Sequence, residues 1–468
     1  MAVAGLSAVR AGQFVSSPRS WVHGSDAMKC RSCASALGDP VLDLGFAPPS
    51  NAYLSAARLS EPEVHLPLRA RFCTTCTLLQ LEDHSDPRLL FTPDYAYRSG
   101  TSRFWLAHVS GFANAAIARL SLDARSRVVE IGCNDGHLLG IFAARGIPSL
   151  GIEPAAEAAQ TARAAGMEII EDFFSAHLAA DIAKGRGRAD LVVANNVFAH
   201  VPDINGFAAG LGAIMKLHGV VTLEFPHVLS LLRHAQFDTI YHEHFSYLSL
   251  RSARHVLEGA GLEVFDVERL ATHGGSLRIH AQHHGAGRSV SPRVHRLVRA
   301  ETEAGLAERG TYTQLQGRAE RIKDDLLHFL LDARRRGARV AAYGAAAKGN
   351  TLLNFAGVRP DLLPVVYDAA PSKQGKYLPG SHIPIRPPSS LGTGDWDYVL
   401  VLPWNLADEV VAQLETSVAA GTAFLVAVPE LTVLTASGPR EPALAVTGTT
   451  EWPIRRAGAR PRQDPSAM

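Results

Sequence analysis

The sequence predicts an α/β protein: a mostly parallel sheet covered by helices on both faces, with a small cysteine-bearing unit before it and a smaller α/β unit after it. Three observations carry this. Compact apolar strands alternate with glycine turns and helical segments from about residue 98 to about residue 285. The strand–turn–helix pattern restarts at Arg339, and two Cys-x-x-Cys pairs precede both regions. Such alternation implies parallel strands joined by crossover helices, and 468 residues are too many for one ordinary core.

Taken in order, residues 1–27 carry Arg and Ser without a compact apolar centre, and are expected to be a disordered leader. Met28 stands directly before the first motif, so translation starting at either Met1 or Met28 fits. Residues 28–97 are short segments broken by Pro and Gly and read as one small domain. In the central domain, 98–285, strands are expected at 127–131, 149–152, 191–194 and 220–225, with a helix carrying Leu138, Leu139, Ile141 and Phe142. Residues 286–438 form the last domain. It opens with one charged helical stretch over 300–335, followed by strands at 339–343, 364–368, 398–402 and 423–428 and a helix over 407–418. The tail, 439–468, is expected to be flexible.

Composition excludes several classes. Lys+Arg 46 against Asp+Glu 45 leaves a net charge of +1, with no basic footprint for nucleic acid or an anionic membrane. No apolar run approaches the roughly 20 residues of a membrane span. The expectation is a cytoplasmic, monomeric enzyme.

Cys30, Cys33, Cys73 and Cys76 supply four thiolates, the donor set of a closed tetrahedral Zn²⁺ site. A redox dithiol would sit beside a thioredoxin-like βαβ unit, and neither pair does. Four thiolates leave no open position, so this metal is expected to hold the fold. The fifth, Cys133, reads as a small buried residue in a tight turn.

Glu130-Ile131-Gly132-Cys133-Asn134-Asp135-Gly136 is a strand running into a glycine turn, where backbone can approach a ligand and a helix start offers free N–H groups. It is not G-x-G-x-x-G, so no dinucleotide is implied. Glu153 ends the next strand, where an acid accepts both hydroxyls of a ribose. Asp172 follows a third apolar stretch, placed for an adenine amino group. Each acid alone is equally well a helix cap; the ordered series is the signal. A further strand ends at Asn195-Asn196.

Histidines concentrate in three segments expected over the carboxyl edge of the sheet: Val197–Asp203 with His200, Gln236–Leu250 with Tyr241-His242-Glu243-His244, and His273-Gly274-Gly275-Ser276-Leu277-Arg278. Histidine suits proton abstraction beside a carbonyl. A metal role is disfavoured by the missing H-E-x-x-H spacing, and a structural role is the other alternative. On an extended backbone Glu243 and His244 point to opposite sides, so one of the two is expected to face a substrate.

The loop from Glu130 through Glu153 resembles that of class I S-adenosylmethionine-dependent methyltransferases. With the paired cysteines, Phe237-Asp-Thr-Ile-Tyr-His-Glu-His-Phe245, Thr272-His-Gly-Gly-Ser276 and Tyr343-Gly-Ala-Ala-Ala-Lys348-Gly-Asn-Thr-Leu-Leu353, the chain resembles the deoxysugar C-methyltransferases from Cys30 to about Leu434. Ala346 and Cys133 depart from the residues usual there, Pro and Ser. The resemblance implies a Rossmann-like central domain between an N-terminal zinc-binding domain and a C-terminal Rossmann-like domain. It implies a nucleotide-sugar substrate, S-adenosylmethionine held by Glu130, Gly132, Asn134, Asp135, Glu153, Asp172 and Asn195, and structural zinc. His244 becomes the base, with Glu243, Tyr241 and His200 around the reacting carbonyl and Tyr95 at the pocket wall. His273, Ser276, Arg278, Tyr343, Lys348 and Asn350 become substrate-binding. The implied reaction is deprotonation beside a 4-keto group and methyl transfer to the enolate. An O- or N-methyltransferase, or a non-catalytic sugar-nucleotide sensor, is the alternative.

Overall fold

The computed structural model describes residues 28–84, 87–91, 100, 103–414, 418, 421–434 and 441–442. The expected leader, Tyr95 and nearly all of the expected tail lie outside the described residues.

At the N-terminal end, β1 (Leu42–Ala47), β2 (Leu66–Phe72) and β3 (Leu79–Leu81) form an antiparallel meander. The sheet's fourth strand comes from the histidine-rich segment: Ser246–Tyr247 pairs with Gln80 and Leu79. Two residues carry no alternation to read, so sequence gave no sign of this strand.

The central sheet contains β4 (Val128–Ile131), β5 (Ser149–Ile152), β6 (Ile169–Ile170), β7 (Ala189–Asn195) and β8 (Met215–Pro226), with β10 (Leu262–Leu270) and β11 (Ser276–His283) after the short strand β9 at Ser246–Tyr247. Its order is β10-β11-β8-β7-β4-β5-β6, and β4 to β8 are mutually parallel. Only β11 runs against its neighbours, wedged between β8 and β10. Strands covered on both faces read as near-continuous apolar runs, which is why this part was legible. Successive residues feed opposite cores. Val128, Leu191 and Val193 meet Phe112 and Phe142, while Val129, Val192 and Ala194 meet Ile182, Phe207 and Leu211.

The helical stretch expected over 300–335 is two helices, Pro292–Glu303 and Arg309–Arg335. Gly305, at φ +70°, ends the first in a left-handed turn. The last sheet then forms from parallel strands β12 (Val340–Tyr343), β13 (Val366–Tyr367), β14 (Ile385–Arg386), β15 (Tyr398–Val401) and β16 (Ala423–Val426). Antiparallel β17 (Thr432–Leu434) and β18 (Glu441–Pro442) complete it. The helix expected over 407–418 is Ala407–Leu414. Helix Ala347–Phe355, which follows β12, starts against the same cavity as the carboxyl ends of β4 and β7.

Candidate active site

The two cysteine pairs fold into matching turns. In each, the residue after the second cysteine takes positive φ (Ala34, +60°; Thr77, +62°). Its N–H bonds the first cysteine's carbonyl at 2.9 Å in both turns. The four sulfurs lie within 4.8 Å of one another, with Cys30–Cys76 and Cys33–Cys73 each 3.5 Å apart. That crowding of soft donors fits one tetrahedral Zn²⁺ and leaves no position open for chemistry. Among the described residues no other set of three or more such side chains converges.

Where both α/β sheets present their carboxyl edges lies a cavity of about 840 Å³. Gly132 (φ +67°) opens one end of it, and a Cβ there would stand 2.5 Å from the Val197 side chain. Glu153 accepts the N–H groups of Asn134 and Ala155 at 2.9 Å, so the second strand's acid clamps the first strand's loop. Glu130 is buried. Burial, then the neighbouring Glu153 and Asp135 charges, push its carboxyl well above the ordinary range, and its Oε2 has no partner. The Asn195 amide is equally unpartnered. These orphaned groups facing the cavity fit an ammonium-bearing ligand, as S-adenosylmethionine is. Asp172 lines the cavity and bonds the Phe173 N–H at 2.7 Å. Asp135 accepts from the Gly100 N–H at 3.0 Å and does not line the cavity.

The histidine-rich segment is anchored by Phe237, Ile240 and Phe245, all buried, and the polar residues between them form a turn. His244 N–H bonds the Tyr241 carbonyl at 2.9 Å, so the backbone turns between them. His244 Nδ1 donates to the Thr239 carbonyl at 2.9 Å, which leaves Nε2 as the acceptor for the Tyr241 hydroxyl, also at 2.9 Å. Burial, then the neighbouring His200, hold His244 well below the ordinary histidine pKa. His200 packs edge-on at 4.6 Å between ring centroids, and burial lowers it to about 4. Tyr241, His244 and His200 line the cavity. Glu243 does not; the Asn51 amide donates to both its oxygens at 2.9 and 2.8 Å.

His273 lines the cavity in a left-handed conformation (φ +54°), its Nδ1 unpartnered, lowered to about 4 by burial and then Lys348. Lys348 enters from the last domain, 4.3 Å above the Trp404 ring, and donates to Asn405 at 2.6 Å. Burial lowers it to about 8. Lys373 joins it on the cavity wall, donating to the Ala345 carbonyl at 2.9 Å. Four expected substrate residues stand outside the lining. The Ser276 hydroxyl donates to the Thr272 carbonyl at 3.0 Å, and Arg278 pairs with buried Glu224 at 2.6 Å. Tyr343 packs into the last domain's core, and Asn350 lies buried beside Ser50. Asn51, Trp105, Thr239 and Lys373 line the cavity without having been anticipated. Lys373 could have been suspected from its place just beyond the end of β13.

Comparison with known proteins gives three family matches. Residues 30–91 match a zinc binding domain, 105–267 a methyltransferase domain, and 271–429 the C-methyltransferase C-terminal domain. The chain is 34% identical over 408 residues to C-methyltransferase NovU of Streptomyces niveus, covering 87% of this chain and 97% of that one. Solved structures align more loosely. A Pyrococcus horikoshii protein covers 43% of this chain and 100% of its own at 11% identity (TM-score 0.34). Magnesium protoporphyrin IX methyltransferase from Synechocystis, solved with bound SAM, covers 43% and 98% at 14% identity (TM-score 0.32). Among the described residues no helix is long and apolar enough to cross a membrane.

Proposed function

Because the chain belongs to the S-adenosylmethionine-dependent C-methyltransferase family, we propose that the carbon it methylates lies beside the 4-keto group of a nucleotide-linked deoxysugar. The observation that carries this reading is the set of charged groups around this cavity. The central domain lines it with Glu130, Glu153 and Asp172, the last domain lines it with Lys348 and Lys373, and the Tyr241–His244 pair lines it as well. Carboxylates suit the cationic cofactor and lysines suit a sugar diphosphate, so a neutral keto-sugar would sit at the pair.

S-adenosylmethionine, when bound, supplies the sulfonium methyl. Glu130 and Asn195 would hold its amino-acid end, beside the backbone that Gly132, Asn134 and Asp135 shape, with Glu153 on the ribose and Asp172 towards the base. His244 Nε2 takes the proton from the carbon next to the carbonyl. For this Tyr241 must release its hydrogen bond to Nε2, and its hydroxyl then turns to the oxygen on which enolate charge grows. His273 and His200, both neutral in the free protein, line the same wall and orient the carbonyl. Glu243 acts through Asn51, while Ser276 and Arg278 act through the turn that carries His273. Tyr343 and Asn350 act by fixing the start of the Lys348 helix. No open metal position takes part.

The test is incubation with a panel of 4-keto-deoxysugar nucleotides and methyl-labelled cofactor. Label on a ring carbon adjacent to the carbonyl is expected. Label confined to oxygen or nitrogen, or to none of the panel, overturns the reading.

A further inference from the structure

Arg31, between the two cysteines of the first zinc turn, reaches out of the metal site. Its guanidinium donates to the Pro202 carbonyl at 3.1 Å, the Leu81 carbonyl at 2.8 Å and the Asp83 carboxylate at 2.8 Å. The guanidinium carbon lies 5.4 Å from the centre of the Phe245 ring. Only 5% of the side chain is exposed. Pro202 follows His200 by two residues and Phe245 adjoins His244. The second zinc turn leads into β3, where the Leu81 N–H bonds the Phe245 carbonyl at 3.0 Å. The metal turn is tied in twice more. Arg31's own N–H bonds Gln80, whose amide reaches the Cys30 sulfur at 3.1 Å. Asn205, just past the His200 turn, donates to the Ser32 carbonyl at 2.7 Å.

We propose that Arg31 is a positioning residue, clamping the His200 turn and the His244 segment against each other so that the assembled zinc turn sets the geometry of the reacting wall. The planar fork suits this, since one group satisfies two carbonyls on separate segments and stacks on an aromatic ring. Without it those carbonyls lose this partner, and nothing else among these contacts joins Pro202 to Leu81. The clamp rests on the roles proposed above for His200 and His244.

The experiment uses full-length Arg31→Ala and Arg31→Lys proteins, with zinc content, S-adenosylmethionine affinity and nitrogen NMR of isotope-labelled histidines measured first. His244→Asn identifies the His244 signals, which in the parent report an Nδ1-protonated ring. With zinc at one per chain and cofactor affinity unchanged, Arg31→Ala is expected to lose that fixed tautomer. Its kcat on the panel member that turns over should fall about 10- to 100-fold, as small misplacements of reacting groups do. Lysine is expected to restore part of the rate, and added guanidinium ion at sub-denaturing concentration should recover part of the alanine variant's rate. An unchanged tautomer with kcat within twofold overturns the proposal. Loss of zinc from both variants overturns it too, since Arg31 would then serve the metal alone. If the tautomer is lost while His244→Asn retains full activity, the clamp stands and the base assignment falls.

Discussion

Replacing Glu153 by glutamine tests the cofactor end of the cavity, and the structure sharpens what the change should do. Each carboxylate oxygen accepts a backbone N–H at 2.9 Å, from Asn134 and from Ala155. An amide retains one acceptor oxygen, so one of those N–H groups must face an NH₂ donor. Hydrogen bonds to charged groups contribute about 1.5–3 kcal/mol each, and the variant also gives up one charge-assisted bond to a ribose hydroxyl. At 1.4 kcal/mol per factor of ten, S-adenosylmethionine affinity is expected to fall about 10- to 100-fold. Isothermal calorimetry reads the affinity directly. Because the same carboxylate fixes the Asn134 loop, amide exchange at Asn134 and Ala155 without ligand should also accelerate. Unchanged affinity would refute the placement of the ribose. Unchanged exchange with weakened binding would refute the clamp and leave the ribose contact standing.

Zinc removal by a strong chelator should lower the stability of the N-terminal sheet, and metal analysis should find one Zn²⁺ per chain; protein without zinc and with four freely titratable thiols contradicts the site. Burial lowers Lys348 to about 8, so its charge is present below that pH and lost as pH rises through it. The alkaline limb of kcat/KM should therefore fall near pH 8 if that charge holds the diphosphate. Lys348→Arg, which stays charged, should move the limb upward, and an unmoved limb rules Lys348 out as its origin.

What the sequence displayed depended on how local each constraint is. The zinc turns were readable because two ligands must come from one turn, which puts the cysteines three residues apart. The central strands were readable because burial on both faces demands apolar residues at almost every position. Tyr241 and His244 were both singled out, but their pairing was not legible. A turn brings residues i and i+3 together, and only the bond from the His244 N–H to the Tyr241 carbonyl reveals it. Glu243 looked as suitable a base as its neighbour, and its engagement by Asn51 depends on a residue from another domain. Asn51, Lys373 and the short strand Ser246–Tyr247 are long-range contacts with no periodicity of their own. Arg278 shows the converse: an arginine in a functional-looking motif whose charge is spent on Glu224, buried within the sheet.

The central assignment gives one proton to one nitrogen, and solvent exchange measures it most directly. In deuterated water, with a 4-keto-deoxysugar nucleotide that turns over, the parent enzyme should incorporate deuterium at the carbon beside the carbonyl. His244→Asn should fold, keep its zinc and bind both ligands, while exchange and methyl transfer fall together by roughly 10²- to 10⁴-fold, the usual cost of removing a general base. Glu243→Gln should retain exchange, because that carboxylate faces Asn51 and does not line the cavity. Exchange that survives in His244→Asn and disappears in Glu243→Gln would reverse the assignment.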